Sequence, residues 1–342
     1  MHLIRGIHNL RPALGPHALT IGNFDGVHAG HQAMLAQLRE AADTLGVPAL
    51  VMCFEPQPQE FFAGEQAPAR LMTWRDKVET LAEAGADRVL LVRFDARFRA
   101  YTASGFIDDL LVAKLQTKYL LVGDDFRFGC DRSGDFSQLQ RAGAEQGFTI
   151  DKLSTFEVDG ERVSSTRLRA AVADADFALA HALTGRDFFV AGHVVHGDKI
   201  GRTLGLPTAN ILMNRQVLPL RGVYAVWVDG IGETPLPAVA NVGTRPTVQG
   251  IQARCEVHLL DYRGDLYGRR LRVRFVRKLR DEQRFASLDA LKAAIEGDVA
   301  AGHDYFAAES SRLIEGAASA ENSTLANGSC AESTSLKKHA GN

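Results

Sequence analysis

The sequence predicts two folds in one chain: a parallel α/β sheet with helices on both faces, then an antiparallel β-barrel followed by one helix. Three observations predict this. In the first half, short apolar strands alternate with helical patterns, the rhythm of βαβ units. From about residue 188, strand-like runs follow one another with turn residues between them. At 342 residues and 46% hydrophobic content, the chain is long enough and apolar enough to fill two cores.

In chain order, the first-half strands are "ALTIGNF" (18–24), "ALVMCF" (49–54), "RVLLVRF" (88–94), "YLLVG" (119–123) and "FTIDKL" (148–153). Helical spacing of apolar residues marks 31–46, 74–85 and 106–116 between them. A longer helical stretch, 165–185, bridges to the second half. There the strands are 188–197, 222–228, 237–243, 254–262 and 270–279, and an amphipathic helix spans 287–307. The resulting division is a first domain over 1–185, a second over 186–306, and a small, polar tail over 307–342 expected to be disordered for want of apolar content.

The bulk numbers exclude several classes. A net charge of −2 gives no general attraction to nucleic acid or to anionic membranes. No apolar run reaches the length of a membrane span, and the first residues lack a signal-peptide pattern. The four cysteines are scattered without metal-ligand spacing, so free thiols in a reducing cytoplasm are expected. Oligomeric state is not legible.

Four motif-bearing loops each follow a strand: "GVHAGH" (26–31), "FEPQP" (54–58), "GDDFRFG" (123–129) and "SSTRLR" (164–169). In a parallel sheet, ligands sit beyond the carboxyl ends of the strands, so the four loops are expected to meet on one edge. "GVHAGH" joins a strand to a helix start, whose free N–H groups and partial positive charge favour an anion, and His28 and His31 would donate to phosphate oxygens there. Ser164, Ser165 and Thr166 offer hydroxyls at a second helix start, and Arg167 and Arg169 add charge. Phe126 and Phe128 would bracket a flat ring. Taken singly, each motif has a plain explanation as a cap or as core packing. Their convergence favours a nucleotide triphosphate beside an aromatic ligand.

A second constellation lies in "GDKIGRTLGLPTANI" (197–211). Its glycines let backbone approach phosphates, and Thr208 and Asn210 alternate along an extended segment and so share a face. A hydroxyl and an amide oxygen suit Mg²⁺ among phosphates. Glu256, in "RCEVHLLDY", offers a carboxylate that can take a proton from a substrate hydroxyl, although a lone strand Glu is usually only a solvated face.

"GNFDGVHAGH" and "SSTRLR" resemble the two phosphate-binding motifs of the nucleotidyltransferase superfamily. With "FEPQP" and "VGDDFRFG", the resemblance narrows to bacterial bifunctional riboflavin kinase/FAD synthetases. "GRTLGLPTANI", "GVYAVWV", "NVGTRPTV", "EVHLLDY" and "DLYGRRLRVRFV" resemble the riboflavin kinase module of the same family, with Leu206, Val248 and Tyr262 where phenylalanine is commoner. The resemblance implies a Rossmann-like nucleotidyltransferase domain in which FMN attacks the α-phosphorus of ATP. Its phosphate groups would contact Gly22, Phe24, His28, His31, Ser164, Ser165, Thr166 and Arg169, and its flavin Phe54, Pro56, Asp125, Phe126 and Phe128. It also implies a six-stranded barrel that phosphorylates riboflavin. There Gly197, Lys199, Gly201, Arg202 and Gly205 would cover the phosphates, Thr208 and Asn210 would hold Mg²⁺ with ATP, and Glu256 would be the base. Riboflavin, FMN and ATP would be the only partners, with no nucleic acid or membrane. Two other readings stand beside this one: an adenylyltransferase whose barrel merely binds flavin, and a non-enzymatic flavin sensor or carrier.

Overall fold

The computed structural model describes residues 1–197, 205–213, 217–247 and 250–328, with side chains undescribed at 245–252 and beyond 312. The first module is a six-stranded parallel sheet in the order β1-β4-β3-β2-β5-β6. Its strands are β1 (His2–Arg5), β2 (His17–Ile21), β3 (Ala49–Phe54), β4 (Arg88–Val92), β5 (Thr117–Gly123) and β6 (Thr149–Leu153). Every residue of β2 and β3 is buried, as befits central strands covered on both faces. Edge strand β1 was missed from the sequence: it is four residues long and only Ile4 is buried, too short for an apolar period to show.

The intervening helices are α1 (Ala29–Leu45), α2 (Pro58–Ala63), α3 (Trp74–Glu83), α4 (Ala96–Arg99), α5 (Ala103–Gly105) and α6 (Phe136–Gln146). Phe106–Lys114, expected as ordinary helix, is a π-helix that closes with Leu115 N–H donating to the Leu110 carbonyl. A two-residue hairpin, β7 (Glu157–Val158) with β8 (Glu161–Arg162), precedes α7. The single bridging helix expected over 165–185 is two helices, α7 (Ser165–Ala173) and α8 (Phe177–Thr184). Ala175 breaks it at φ +57°, and Asp176 caps α8 by accepting from the Leu179 N–H at 2.9 Å.

The second module is a closed barrel, β10-β13-β12-β11-β14-β9. Its strands are β9 (Phe189–Val195), β10 (Ala209–Leu212), β11 (Gly222–Asp229), β12 (Leu236–Thr247), β13 (Gly250–Leu259) and β14 (Arg270–Arg280). Alternation sorts its residues: Ala209, Ile211, Cys255, Val257 and Leu259 are buried, while Asn210, Glu256 and His258 lie on the more exposed face.

The two modules share one hydrophobic cluster. Phe177 of α8 packs edge-on against Tyr224 of β11 and stacks on Phe275 of β14. Arg270 of β14 pairs with the buried Asp76 of α3 at 2.8 Å and with Glu79 at 3.1 Å. The last helix, α9 (Leu288–Gly328), docks on the barrel through Phe306 against Trp227, ring centroids 4.6 Å apart. It runs past residue 307, where the sequence suggested a disordered tail. Its alanine- and glutamate-bearing composition cannot build a core but suits a helix.

Candidate active sites

The segment from β2 to α1 folds as a strained turn. Phe24, Gly26 and Val27 all have positive φ (49°, 85° and 38°). Gly26 is required: a Cβ there would lie 2.7 Å from Leu168 and 2.9 Å from Leu71. His28 is the N-cap of α1, its Nδ1 accepting from the His31 backbone N–H at 3.4 Å. In the neutral ring this leaves the proton on Nε2, so that edge of His28 is a donor. The two imidazoles stack at 3.7 Å, and Phe24 backs His31 at 4.8 Å. Burial, reinforced by the Arg186 guanidinium, lowers the His28 pKa to about 4. Burial and the neighbouring His28 hold His31 well below its ordinary value. Both rings are therefore neutral at pH 7.

The "SSTRLR" segment, expected to bind phosphate, abuts this turn. Ser164 caps α7 by accepting from the Arg167 N–H, and Ser165 Oγ donates to the Asp25 carbonyl at 2.8 Å. Thr166 stands exposed. Arg169, expected on phosphate, has Nη2 on the Asp25 carboxylate at 2.8 Å and Nε on the Ala69 carbonyl at 2.7 Å. Arg167 secures the hairpin, donating to Val158 and pairing with Glu161. Asp25 is only 1% exposed and also accepts from the Leu71 and Met72 N–H groups, so it ties three segments together.

A cavity of ≈ 530 Å³ opens where β2 enters the turn, bordered by Gly22 and Asn23 and not by either histidine. Of the residues expected to contact ligand, Gly22, Phe54, Phe126 and Phe128 line it, together with Asn23, Phe62, Phe94, Phe98 and Tyr101. Phe126 and Phe128 stack on each other at 5.8 Å, so they form one wall and do not bracket a ring between them. Three other expected contacts are placed elsewhere. Phe24 is buried beneath His31. Pro56 lines a neighbouring recess with Glu55 and Glu60, both held by Arg70. The Asp125 side chain is 78% exposed, against Arg162 at 3.5 Å.

Sequence reasoning overlooked Lys77. This lysine is 1% exposed, and its Nζ donates to the Asn23 carbonyl at 2.6 Å. A signal was present: in α3, Lys77 falls one turn before the apolar Leu81, on the buried face.

In the barrel, register brings the second constellation together. Asn210 of β10 and Asn241 of β12 both pair with Glu256 of β13, one from each side. Arg254, two residues before Glu256 on the same face, donates to Asn210 Oδ1 at 3.1 Å and to Glu256 at 2.6 Å. Gly197 packs against the Asn210 side chain, where any Cβ would collide. Thr208 shares the face of Asn210 and borders a ≈ 670 Å³ cavity with Gly205, Tyr262, Arg263 and Tyr267. Lys199, Gly201 and Arg202 lie outside the described residues. Asp261 is turned away, 85% exposed and 3.7 Å from His303.

Comparison with known proteins identifies the family of each module. The FAD synthetase family model matches residues 11–167 and the riboflavin kinase model residues 184–306. The bifunctional riboflavin kinase/FMN adenylyltransferase of Escherichia coli K12 is 57% identical over 307 residues, covering 90% of this chain and 98% of that protein. The one from Pseudomonas fluorescens is 58% identical over 302 residues, covering 88% and 96%. A crystal structure described as a macrolide-efflux protein from Streptococcus pneumoniae has the same fold, with a TM-score of 0.72 at 28% identity over 87% of this chain and 97% of that one. Among the described residues of the present chain, no helix is long and apolar enough to cross a membrane. Two family models in tandem and near-full-length relatives agree: the chain belongs to the bifunctional riboflavin kinase/FMN adenylyltransferases.

Proposed function

We propose that riboflavin is phosphorylated on the barrel, residues 186–306, with Glu256 as general base, and that the FMN so made is adenylylated on the parallel-sheet module, residues 1–185, at the His28–His31 turn. The observation that carries this reading is that each module holds its own cluster of polar groups: His28 stacked on His31 at the start of α1, beside the Gly22–Asn23 backbone that borders an aromatic cavity, and Glu256 in register with Asn210 and Asn241 on the barrel.

In the kinase step the ribityl hydroxyl is a poor nucleophile until its proton has an acceptor. Glu256 supplies one, and Arg254 beside it both orients the carboxylate and adds positive charge toward phosphate. Thr208 and Asn210 offer neutral oxygens on the same face. That donor set suits Mg²⁺ carried largely by ATP phosphates, and the described residues include no cluster of three His, Cys, Asp or Glu that would hold a metal alone. Once bound, Mg²⁺ would neutralise charge developing on the phosphates.

The adenylyl step needs little covalent help. FMN and the α-phosphorus must be held in line, and charge on the phosphoryl oxygens must find preorganised donors. The Nε2–H of His28, the ring of His31 and the first N–H groups of α1 supply these. The aromatic cavity would take the isoalloxazine ring. Three free cysteines, Cys53, Cys130 and Cys255, support a reducing compartment, and we place the enzyme in the cytoplasm.

The test is incubation with riboflavin, ATP and Mg²⁺ followed by chromatography of FMN and FAD. Glu256→Gln should slow FMN formation yet convert supplied FMN at the parent rate, whereas His28→Ala should form FMN at the parent rate and accumulate it through slowed FAD formation. Any other division of the two products overturns the assignment.

A further inference from the structure

The turn that carries the histidines is held from behind by its carbonyl groups. Lys77 Nζ donates to Asn23 O at 2.6 Å, Val27 N–H to Phe24 O at 3.4 Å, and Ser165 Oγ to Asp25 O at 2.8 Å. Arg186 Nη2 donates to Gly26 O, and both Arg186 Nη atoms donate to Val27 O at 3.2 Å, joined by Gln32 Nε2 at 3.0 Å. The backbone between Phe24 and Val27 sits in a sparsely populated region, with the β-branched Val27 at φ +38°. Such a conformation persists only where its surroundings over-determine it. Arg186 alone grips two consecutive carbonyls there, immediately before His28.

Arg186 does not belong to the module whose turn it grips. It lies inside the riboflavin kinase match and beyond the end of the FAD synthetase match at residue 167. It follows α8 by two residues and leads into β9, whose flanking residue Phe188 packs on Phe275. The guanidinium is half-buried and bridges to its own segment through Thr184 O at 3.3 Å. Gln32 also reaches Thr184 O, at 2.7 Å, so the turn, α1 and the entry to the barrel are laced at one point.

We infer that Arg186 is a positioning residue for FMN adenylylation: the barrel's entry segment holds the His28 turn in its productive conformation. Its fork suits two adjacent carbonyls in a way that a lysine ammonium does not. This inference rests on reading the His28 turn as the adenylyl-transfer site. The acidic and basic groups facing His28 are Asp25 from its own turn, Arg162 from β8 and Arg186 from the junction, with His31 stacked on it from α1.

The experiment compares Arg186→Ala, Arg186→Lys and His28→Ala in the full-length chain, assaying FMN formation and FAD formation separately. Misplacing a reacting group by about an ångström costs on the order of 10²-fold, so Arg186→Ala is expected to lower kcat for FAD formation by about 10- to 100-fold. FMN formation should stay within about two-fold, which also reports that the chain has folded. Arg186→Lys should fall between Arg186→Ala and the parent chain, and it carries the test alone if the alanine variant proves insoluble. Followed by NMR, the His28 imidazole should titrate at higher pH in Arg186→Ala, which removes the positive charge, than in the parent, and should move less in Arg186→Lys, which keeps it. Normal FAD formation in Arg186→Ala, with loss in His28→Ala, would overturn the inference alone. Normal FAD formation in both would overturn the reading of the turn as well. Equal loss of both activities in Arg186→Ala, or an unmoved His28 titration, would reduce Arg186 to a purely structural contact.

Discussion

The turn proposed for adenylyl transfer and the barrel face proposed for the kinase step are built by opposite means. The turn between β2 and α1 is irregular backbone, strained at Phe24 and Val27 and held by side chains from α1, α3, α7 and the module junction. The kinase face is regular sheet: Asn210, Glu256 and Asn241 stand abreast simply because β10, β13 and β12 are in register. Strand pairing places side chains at no cost in strain, but only along a fixed grid. The strained turn aims two rings and a helix start at one point, and depends on many supports to do so. The first site should therefore be sensitive to substitutions well outside it, the second mainly to changes in its own side chains.

The sharpest break of this comparison is at Glu256. Glu256→Gln preserves size and register while removing the base, so kcat for FMN formation is expected to fall about 10²-fold or more, with ligand affinities far less affected. Steady-state kinetics on riboflavin and on supplied FMN checks this, and near-normal kcat would remove Glu256 as the base. Asp261, turned toward α9 and solvent, would then be a poor substitute.

Next in size is the histidine pair. His28→Ala or His31→Ala is expected to lower FAD formation about ten-fold or more, as for one preorganised donor lost, while FMN formation is little changed. Coupled loss of both products in a soluble, folded variant would dissolve the distinction between the sites.

A smaller, physical test uses acid. The folded pKa of His28 lies at about 4, below its ordinary 6.5. The unfolded chain therefore binds more protons than the folded one between these values, and this histidine's contribution lowers stability as pH falls from about 6.5 toward 4. His31, shifted the same way by burial, acts in the same sense. Denaturant midpoints at pH 7 and pH 5 should show the loss, and His28→Gln should flatten it. An identical pH dependence in His28→Gln would mean that His28 is not buried uncharged in solution.

The smallest expected effect is from trimming α9. Among the described side chains, Phe306 is the last that is buried. A chain ending at Arg312 is expected to keep both activities and its thermal midpoint, and loss of either would reveal an interface beyond that point.

What the sequence disclosed follows the same contrast. Both modules were legible from pattern alone, because β3 is a continuous apolar run, β2 is mostly apolar, and the barrel strands alternate. The histidines, Thr208, Asn210 and Glu256 were legible as polar groups in patterns that bury apolar ones. Edge strand β1 was too short to register, and the break at Ala175 hid inside a run of good helix formers. The roles of Asp25 and Arg169 were hidden for a different reason. Each looks ligand-facing in a phosphate motif, yet their mutual ion pair joins residues 144 positions apart. Lys77 likewise is read as a solvated lysine until its partner, the Asn23 carbonyl, is seen.

The packing of Phe177 on Tyr224 and Phe275 has a consequence for manipulating the enzyme. A protease cut or a gene split at the junction would not yield two clean catalysts, because each half would carry aromatic surface into water. Expressed alone, the halves are expected to aggregate. Expressed together, they should copurify as a nicked heterodimer, with the severed ends still laced by Gln32.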